Sequence, residues 1–463
     1  MKALLTRNAE RLRESYWFVP SLMAVAAMLL AGALIWLDSH QETLWMDRLP
    51  WLYAARPDGA RSLMSSIGGS MIGVAGTTFS VTIAAVVYAS GQYGPRLLSN
   101  FMADRGNQVT LGTFIATFVY SLIVVRTIRS PGETPGAEGF VPQLAVLVGL
   151  LLALCSTAVL IYFIHHVPSR IHINSVIERI GDRLLAEIID KFPFLDGGRP
   201  AARDQDASIP AALSAGTSDT ETARRAKVLA TQTGYIQLVD KSVLVETAAS
   251  ANLVLRLVHT AGDFAHDATV LLEVASAGAF EASCADQLRS AFVIGSRRTP
   301  SQDLNFLIDE LVEIAARALS PGINDPFTAK SCLDWLGAAL AELARRDMPA
   351  RLHSDDEGRL RLITRPASFE DYVARGLGAL AQYVSSDVIA ARHFLVTIGE
   401  VATSCDTASR IMALMNQVGN LRELSDRALT GANRRVVLDE ADRMLRALNA
   451  PDYRQRLRDN SFD

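Results

Sequence analysis

Cysteine is scarce. The 463 residues hold four, Cys155, Cys284, Cys332 and Cys405, far apart and with no CxxC pair. They give no disulfide framework and read as isolated small core residues. The chain also lacks G-x-S-x-G, Walker A, H-E-x-x-H and G-x-G-x-x-G motifs, so an enzymatic reading has no anchor and no cofactor is expected. Excess positive charge is missing too: 45 Lys and Arg stand against 49 Asp and Glu, a net charge of −4, which leaves no footprint for nucleic acid. His165, His166 and His172 are close in sequence but do not share one helical face, so they read as interfacial side chains and not as a metal site. Internal repeats are absent.

The most informative absence is that of charge from four long stretches before His165. Hydrophobic residues make up 49% of the chain while charged residues make up 20%, and the two segregate along it. An apolar run of about 18 residues or more is long enough to cross a bilayer as a helix. Such helices are expected at about 17–37, 67–90, 109–128 and 141–164. The first follows a polar, basic segment, 1–16. It is longer than a signal-peptide core and no clear small-x-small site closes it, so it reads as an uncleaved membrane helix with Trp17 and Trp36 near the interfaces. Residues 38–65, with Trp45, Trp51, Tyr53, Pro50 and Pro57, read as a mixed loop.

The second apolar stretch is sorted by face. Gly69, Gly73, Gly76, Ser80 and Ala84 fall at steps of four, three, four and four and share a stripe of small side chains, with Thr77 beside Gly76. Gly69 and Gly73 form a GxxxG pair that lets two backbones approach. Bulky Ile72, Phe79, Ile83 and Val86 flank the stripe. On the third helix Thr110, Thr113, Thr117 and Tyr120 make a hydroxyl stripe. Such stripes suit close helix packing or the wall of a polar path. No Asp, Glu, Lys or His lies in the central parts of the four helices, which argues against a proton-coupled carrier. Lys and Arg flank the helices more heavily on the side of the amino terminus, residues 91–108 and the start of the tail, so both termini are expected in the cytoplasm.

The remainder reads as a cytosolic part of mixed α+β, mostly helical, character. Residues 165–195 form an amphipathic connecting helix, with Ile171, Val176, Ile180, Leu184 and Ile188 on one side. Residues 196–222 are a flexible linker rich in Gly, Ala, Pro, Ser and Asp. Residues 223–300 form a small β-rich subdomain and 301–463 a mostly helical domain, with a hairpin turning at Asp355 to Gly358. Within the β-rich stretch, Leu255 to Val258, Gly262-Asp263-Phe264 and Val270 to Val274 resemble half of a biotinyl/lipoyl-like sandwich. Ala265, His266 and Asp267 occupy the tip, where that family carries a lysine, so no attached lipoyl or biotin group is expected.

Ser301-Gln302-Asp303 and ALSPGINDPFTA (Ala318 to Ala329) are the densest local pattern. With Tyr93 to Leu98, Asp104 and Phe114 to Tyr120, they resemble the DUF2254 family of predicted bacterial membrane proteins. The resemblance spans nearly the whole chain and implies an inner-membrane protein with a cytosolic tail; it brings no catalytic residues. Pro321-Gly322 suits a type II turn with Gly322 at positive φ, and Asp325 and Pro326 suit the start of a helix. Arg297, Arg298 and Arg317, if folded close to that helix start, would with Ser320 suit an anion. Gln302, Asp303, Asn324 and Asp325 would suit a cation. Either small ion is a candidate partner, beside the alternative that the turn only packs helices.

The expected architecture is an α-helical membrane protein with four transmembrane helices, a cytosolic domain and a small β-subdomain. Its partners are the lipid bilayer and further copies of itself. Two functions are carried forward. One is a homo-oligomeric channel with the second helix near the axis. The other is a membrane-anchored sensor or scaffold whose cytosolic part binds a ligand or protein.

Overall fold

The computed structural model describes residues 17–40, 56–93, 104–131, 139–194, 224–276, 280–450 and 452. The expected segment 1–16, the aromatics of 41–55, Arg96 and the linker 196–222 lie outside the described residues. The chain divides into two compact units, Met1–Val176 and Ile177–Asp463.

Among the described residues, the first unit holds four helices long and apolar enough to cross a membrane. They are α1 (Phe18–His40), α2 (Pro57–Tyr93), α3 (Arg105–Thr127) and α4 (Gln143–Ile171). Helix α3 is the hub and packs on the other three. Two boundaries differ most from expectation. Helix α2 begins ten residues before 67, so 57–65 is helical and not loop: Pro57 and Asp58 are suited to a first helical turn. At 37 residues it is about 55 Å long. Helix α4 runs on to Ile171, so the break before the connecting helix falls at His172 and not at His165.

The unit is tied by a core and by a few polar staples. Ala27, Ala31, Met64, Ile67, Tyr120, Val124 and Ala145 are buried together. The Asp38 carboxylate, at the end of α1, accepts from the backbone N–H groups of Leu144 and Ala145 (3.2 and 3.1 Å), capping α4. The Tyr120 hydroxyl donates to the Ala145 carbonyl at 2.7 Å. Arg61 donates to the carbonyl of Ile128 at 3.0 Å, so α2 and α3 run antiparallel.

Helix α5 (Ile173–Lys191) starts at the end of the first unit and runs into the second, where its amphipathic pattern is satisfied: Ile177, Ile180, Leu184 and Ile188 are buried. Gly181 lets its backbone lie against the Trp335 indole, where a Cβ would come within 2.1 Å. The buried Arg346 guanidinium donates to the carbonyls of Ile189 and Phe192 and so closes the carboxyl end of α5.

Two sheets follow. A five-stranded sheet has the order β1 (Arg224–Leu229), β5 (Val270–Ser276), β3 (Leu253–Leu257), β8 (Leu360–Ile363), β7 (Leu352–Ser354), antiparallel except for the β3–β8 pair. A three-stranded sheet has the order β4 (Phe264–Ala265), β2 (Gly234–Val239), β6 (Phe292–Gly295). Helices α6 (Lys241–Ser250) and α7 (Ala282–Ser290) complete the layer, and both sheets share one core containing Val228, Ile236, Leu244, Leu255, Leu272 and Leu362. The biotinyl-like segment is therefore divided: β3 pairs with β5, while β4 leaves to pair with β2. The hairpin at Asp355–Gly358 forms as its sequence suggests, with Gly358 at φ +76°, but it joins the β-rich layer through β8 and not the helices around it.

The helical part comprises α8 (Leu304–Ala318), α9 (Pro326–Leu343), α10 (Phe369–Val373), a π-helical turn (Ala374–Gly378), α11 (Ala379–Val384), α12 (Val388–Thr403), α13 (Ala408–Ala428) and α14 (Gly431–Leu448). Helices α9 and α12 pack closely and in parallel. Gly337 meets Thr397, and Arg345 reaches Ser404.

Candidate functional site

Helix α2 presents two different faces. Ala60, Met64, Ile67, Gly68, Ala75, Thr82 and Val86 are buried against the unit's other helices. Gly69, Gly73, Gly76, Thr77, Ser80 and Ala84 are all exposed. A Cβ built on Gly69, Gly73 or Gly76 meets nothing within 4 Å, whereas one on Gly68 meets the Ser121 Cβ at 3.3 Å. Close approach inside the chain is thus made by Gly68, which sequence reading passed over, and the small stripe points away from its own bundle. Because α2 starts at Pro57, the stripe is also longer than expected: Ser62 and Ser66 continue it in the same exposed register.

The hydroxyl stripe of α3 faces inward. Thr110, Thr117 and Tyr120 are buried and Thr113 is half-buried. The Thr117 and Ser156 hydroxyls are 2.9 Å apart, and Thr110 and Thr113 donate to the carbonyls of Gly106 and Val109. Tyr120 is the α3–α4 staple described above. Thr117 and Tyr120 thus tie α3 to α4, while Thr110 and Thr113 bond back to their own helix.

The residues proposed for an ion divide between the two ends of α8, which at 15 residues is about 22 Å long. At its amino end the Arg298 guanidinium donates to Asp303 (2.6 and 2.9 Å) and to Asp309 (2.6 Å), and Arg375 from the π-turn donates to Asp309 (2.7 and 2.6 Å). Burial pushes Asp303 above the usual carboxylate range, against the bond from Arg298. Burial acts the same way on Asp309, but hydrogen bonds from Arg375 and Arg298 outweigh it and hold that carboxyl low. The Gln302 side-chain amide spans the backbone of Val239, accepting from its N–H (2.9 Å) and donating to its carbonyl (3.2 Å). The Arg297 carbonyl accepts from Gln237 at 2.7 Å. This cluster is internally satisfied and locks β2 to α8 and the π-turn.

At the other end of α8, Arg317 pairs with Glu313 at 3.3 Å. The Ser320 hydroxyl donates to the Arg317 carbonyl at 2.6 Å, and Asp325 caps α9 through the N–H and hydroxyl of Thr328. The expected type II turn is not formed. The Ser320 carbonyl accepts from both Ile323 and Asn324, which keeps Pro321-Gly322 right-handed, and the left-handed residue is Asn324 at φ +50°. With the helix between them, Gln302 and Asp303 do not join Asn324 and Asp325 in one cation shell. Among the described residues no group of three His, Cys, Asp or Glu side chains is arranged to hold a metal.

One feature had no signal in the local motifs. A groove of about 930 Å³ runs along the outer face of α12, walled by α9 and α14. Its visible trace in the sequence is Ile389 and Val396, apolar side chains two turns apart that remain 41% and 50% exposed.

Four apolar helices followed by a mixed α/β region define a multipass membrane protein with a large region outside the apolar spans. The chain belongs to the predicted membrane protein family DUF2254, whose model matches residues 13–400. Uncharacterized proteins of Mycobacterium tuberculosis and Mycobacterium bovis are each 29% identical to it over 445 residues, covering 95% of this chain and 82% of the relative. No solved structure is significantly similar to it.

Proposed function

We propose that this chain forms a homo-oligomeric channel or channel-like protein of the bacterial inner membrane, with α2 near the central axis and both termini cytoplasmic. The second unit then forms a cytosolic vestibule or regulatory domain. The reading rests on one observation: a stripe of glycine, serine and alanine crosses the apolar span of α2 and faces out of its own bundle, uncovered. In lipid, small faces favour helix association because backbones approach closely. Four helices in one chain do not readily enclose a path, but several copies meeting at α2 do. The α3 hydroxyls have no place in the path, since they are engaged within the chain. No catalysed reaction is assigned.

The test is the oligomeric mass of the full-length protein in nanodiscs, followed by planar-bilayer recording of the same sample. A closed oligomer with unitary currents supports the reading. A monomer, or an oligomer silent across voltage and tension, overturns it in favour of a membrane-anchored sensor. The groove on α12 is the observation that favours that second reading.

A further inference from the structure

The groove between α9, α12 and α14 is large enough for a ligand, since small-molecule sites occupy roughly 300–1,000 Å³. Its floor is apolar: Ile389 and Val396 on α12, with Met444 on α14. Its charged groups fall into two sets. Arg392 is tied to Glu440 (2.8 and 3.0 Å), and His393 is paired with Asp334. The Arg392–Glu440 pair neutralises itself, and Asp334 is not part of the groove's lining. Lys330 from α9 and Arg443 from α14, on opposite walls, have no carboxylate partner among the described residues, and Glu400 is the one acid in the groove in the same condition. The unbalanced charge of the trough is therefore positive.

An apolar floor bordered by two cations without a carboxylate partner defines the chemistry of what fits. A purely apolar occupant leaves both cations unpaired. A small hydrophilic anion is satisfied as well by water and leaves the floor exposed. A molecule with an apolar body and a single anionic group answers both features, its body on Ile389, Val396 and Met444 and its charge toward Lys330 and Arg443. We propose that this groove is a binding site for a small, water-soluble organic anion with an aromatic or aliphatic body. The site lies wholly in the second unit and stands whether or not the four helices conduct.

The probe is 2-naphthoate, titrated calorimetrically into the full-length protein in nanodiscs of zwitterionic lipid, with empty discs as the blank. The expected result is saturable binding to one site per chain. The neutral 2-naphthamide should bind at least about tenfold more weakly, and acetate should give no measurable heat. A Lys330→Ala/Arg443→Ala variant should lose about tenfold or more in affinity, equivalent to roughly 1.4 kcal/mol. Val396→Asn should weaken naphthoate through the floor, and Lys227→Ala, at an exposed position of β1, should change nothing. These side chains are at least partly solvent-exposed, and a retained far-ultraviolet dichroism spectrum separates lost binding from lost fold. Heats equal to those of empty discs overturn the proposal, as does equal binding of the amide or undiminished binding by the double variant. Loss of the naphthoate signal in discs containing phosphatidylglycerol also overturns it, because the occupant is then a lipid headgroup.

Discussion

Gly68 and Gly73 lie five residues apart on one helix and should respond oppositely to the same substitution. A Cβ on Gly68 would already stand 3.3 Å from the Ser121 Cβ and 3.7 Å from the Phe118 ring, so the rest of a leucine has to displace α3. Overpacking of that kind costs about 1–3 kcal/mol, and here it falls on the fold of the single chain. A Cβ on Gly73 meets nothing within 4 Å, and replacing glycine in a helix improves intrinsic propensity by up to about 1 kcal/mol. Gly73→Leu should therefore leave the thermal midpoint of the protomer unchanged or slightly raised. If α2 meets α2 of another copy across this stripe, the same leucine enters a backbone-to-backbone contact. The 1–3 kcal/mol then appears as roughly a five- to 150-fold weaker association at each contact. The assay is native mass measurement across a dilution series in mild detergent, with thermal unfolding of the same samples. Gly68→Leu should lower the midpoint and, compared at equal folded protein, leave the oligomer distribution alone. Gly73→Leu should do the reverse. An oligomer that survives Gly73→Leu undiminished would refute the assignment of this face to self-association, and a Gly73→Leu protomer that fails to fold would refute the face assignment itself.

Two further outcomes test the second unit. Gly262 holds φ +97°, and a Cβ there would sit 2.3 Å from the Asp303 carboxylate. Gly262→Ala should cost roughly 2–4 kcal/mol in denaturant unfolding; a loss within about 0.5 kcal/mol would mean that the loop does not press on Asp303 as described. The Asp309 carboxyl is held below its ordinary 3.8, so its contribution is complete above that value and is lost as pH falls through the lower, folded one. Asp303, held high, has the opposite sign and gains relative stability on acidification. Asp309→Asn should then flatten the acid limb of the stability profile below about pH 4, whereas an unchanged limb would place the acid sensitivity elsewhere.

What the sequence makes legible follows from which physical signals are local. The four apolar runs are local, and each became a helix. The start of α2 was also written locally, in Pro57 and Asp58, but the aromatic residues and prolines of 38–65 gave a stronger loop signal. The inward face of α2 was not legible. Helix packing in lipid draws on small residues, while bulky apolar ones suit lipid and helix neighbours alike, so composition alone does not separate the two faces. The pairings at the amino end of α8 depend on Arg375 meeting Asp309 across 66 positions, through a π-turn that interrupts an otherwise helical pattern. The turn at Ser320 to Asp325 shows the same limit on a small scale. Its residues suited a type II turn, but the doubly accepting Ser320 carbonyl assigned the left-handed position to Asn324.

The earlier start of α2 changes the case for association more than any single contact does. Read from residue 67, the small stripe covers Gly69 to Ala84, about 22 Å of helix. Read from Pro57, it runs from Ser62 through Ser66, Gly69, Gly73, Gly76 and Ser80 to Ala84, about 33 Å, which matches the roughly 30 Å hydrocarbon core. Incidental small residues have no reason to keep one register over that depth, least of all on the face that their own bundle leaves open. Cysteine substitution tests the register directly. Ser66→Cys and Ser80→Cys, each in an otherwise cysteine-free chain in membranes, should cross-link copies on mild oxidation, whereas Leu63→Cys and Val81→Cys, exposed but off the stripe, should not. Equal cross-linking at all four positions would show random collision and remove the stripe as an interface. Cross-linking at Ser80 alone would confine the contact to the part of α2 beside the start of α3, because Gly68 lies against Ser121 and the antiparallel register carries Ala84 level with Arg105.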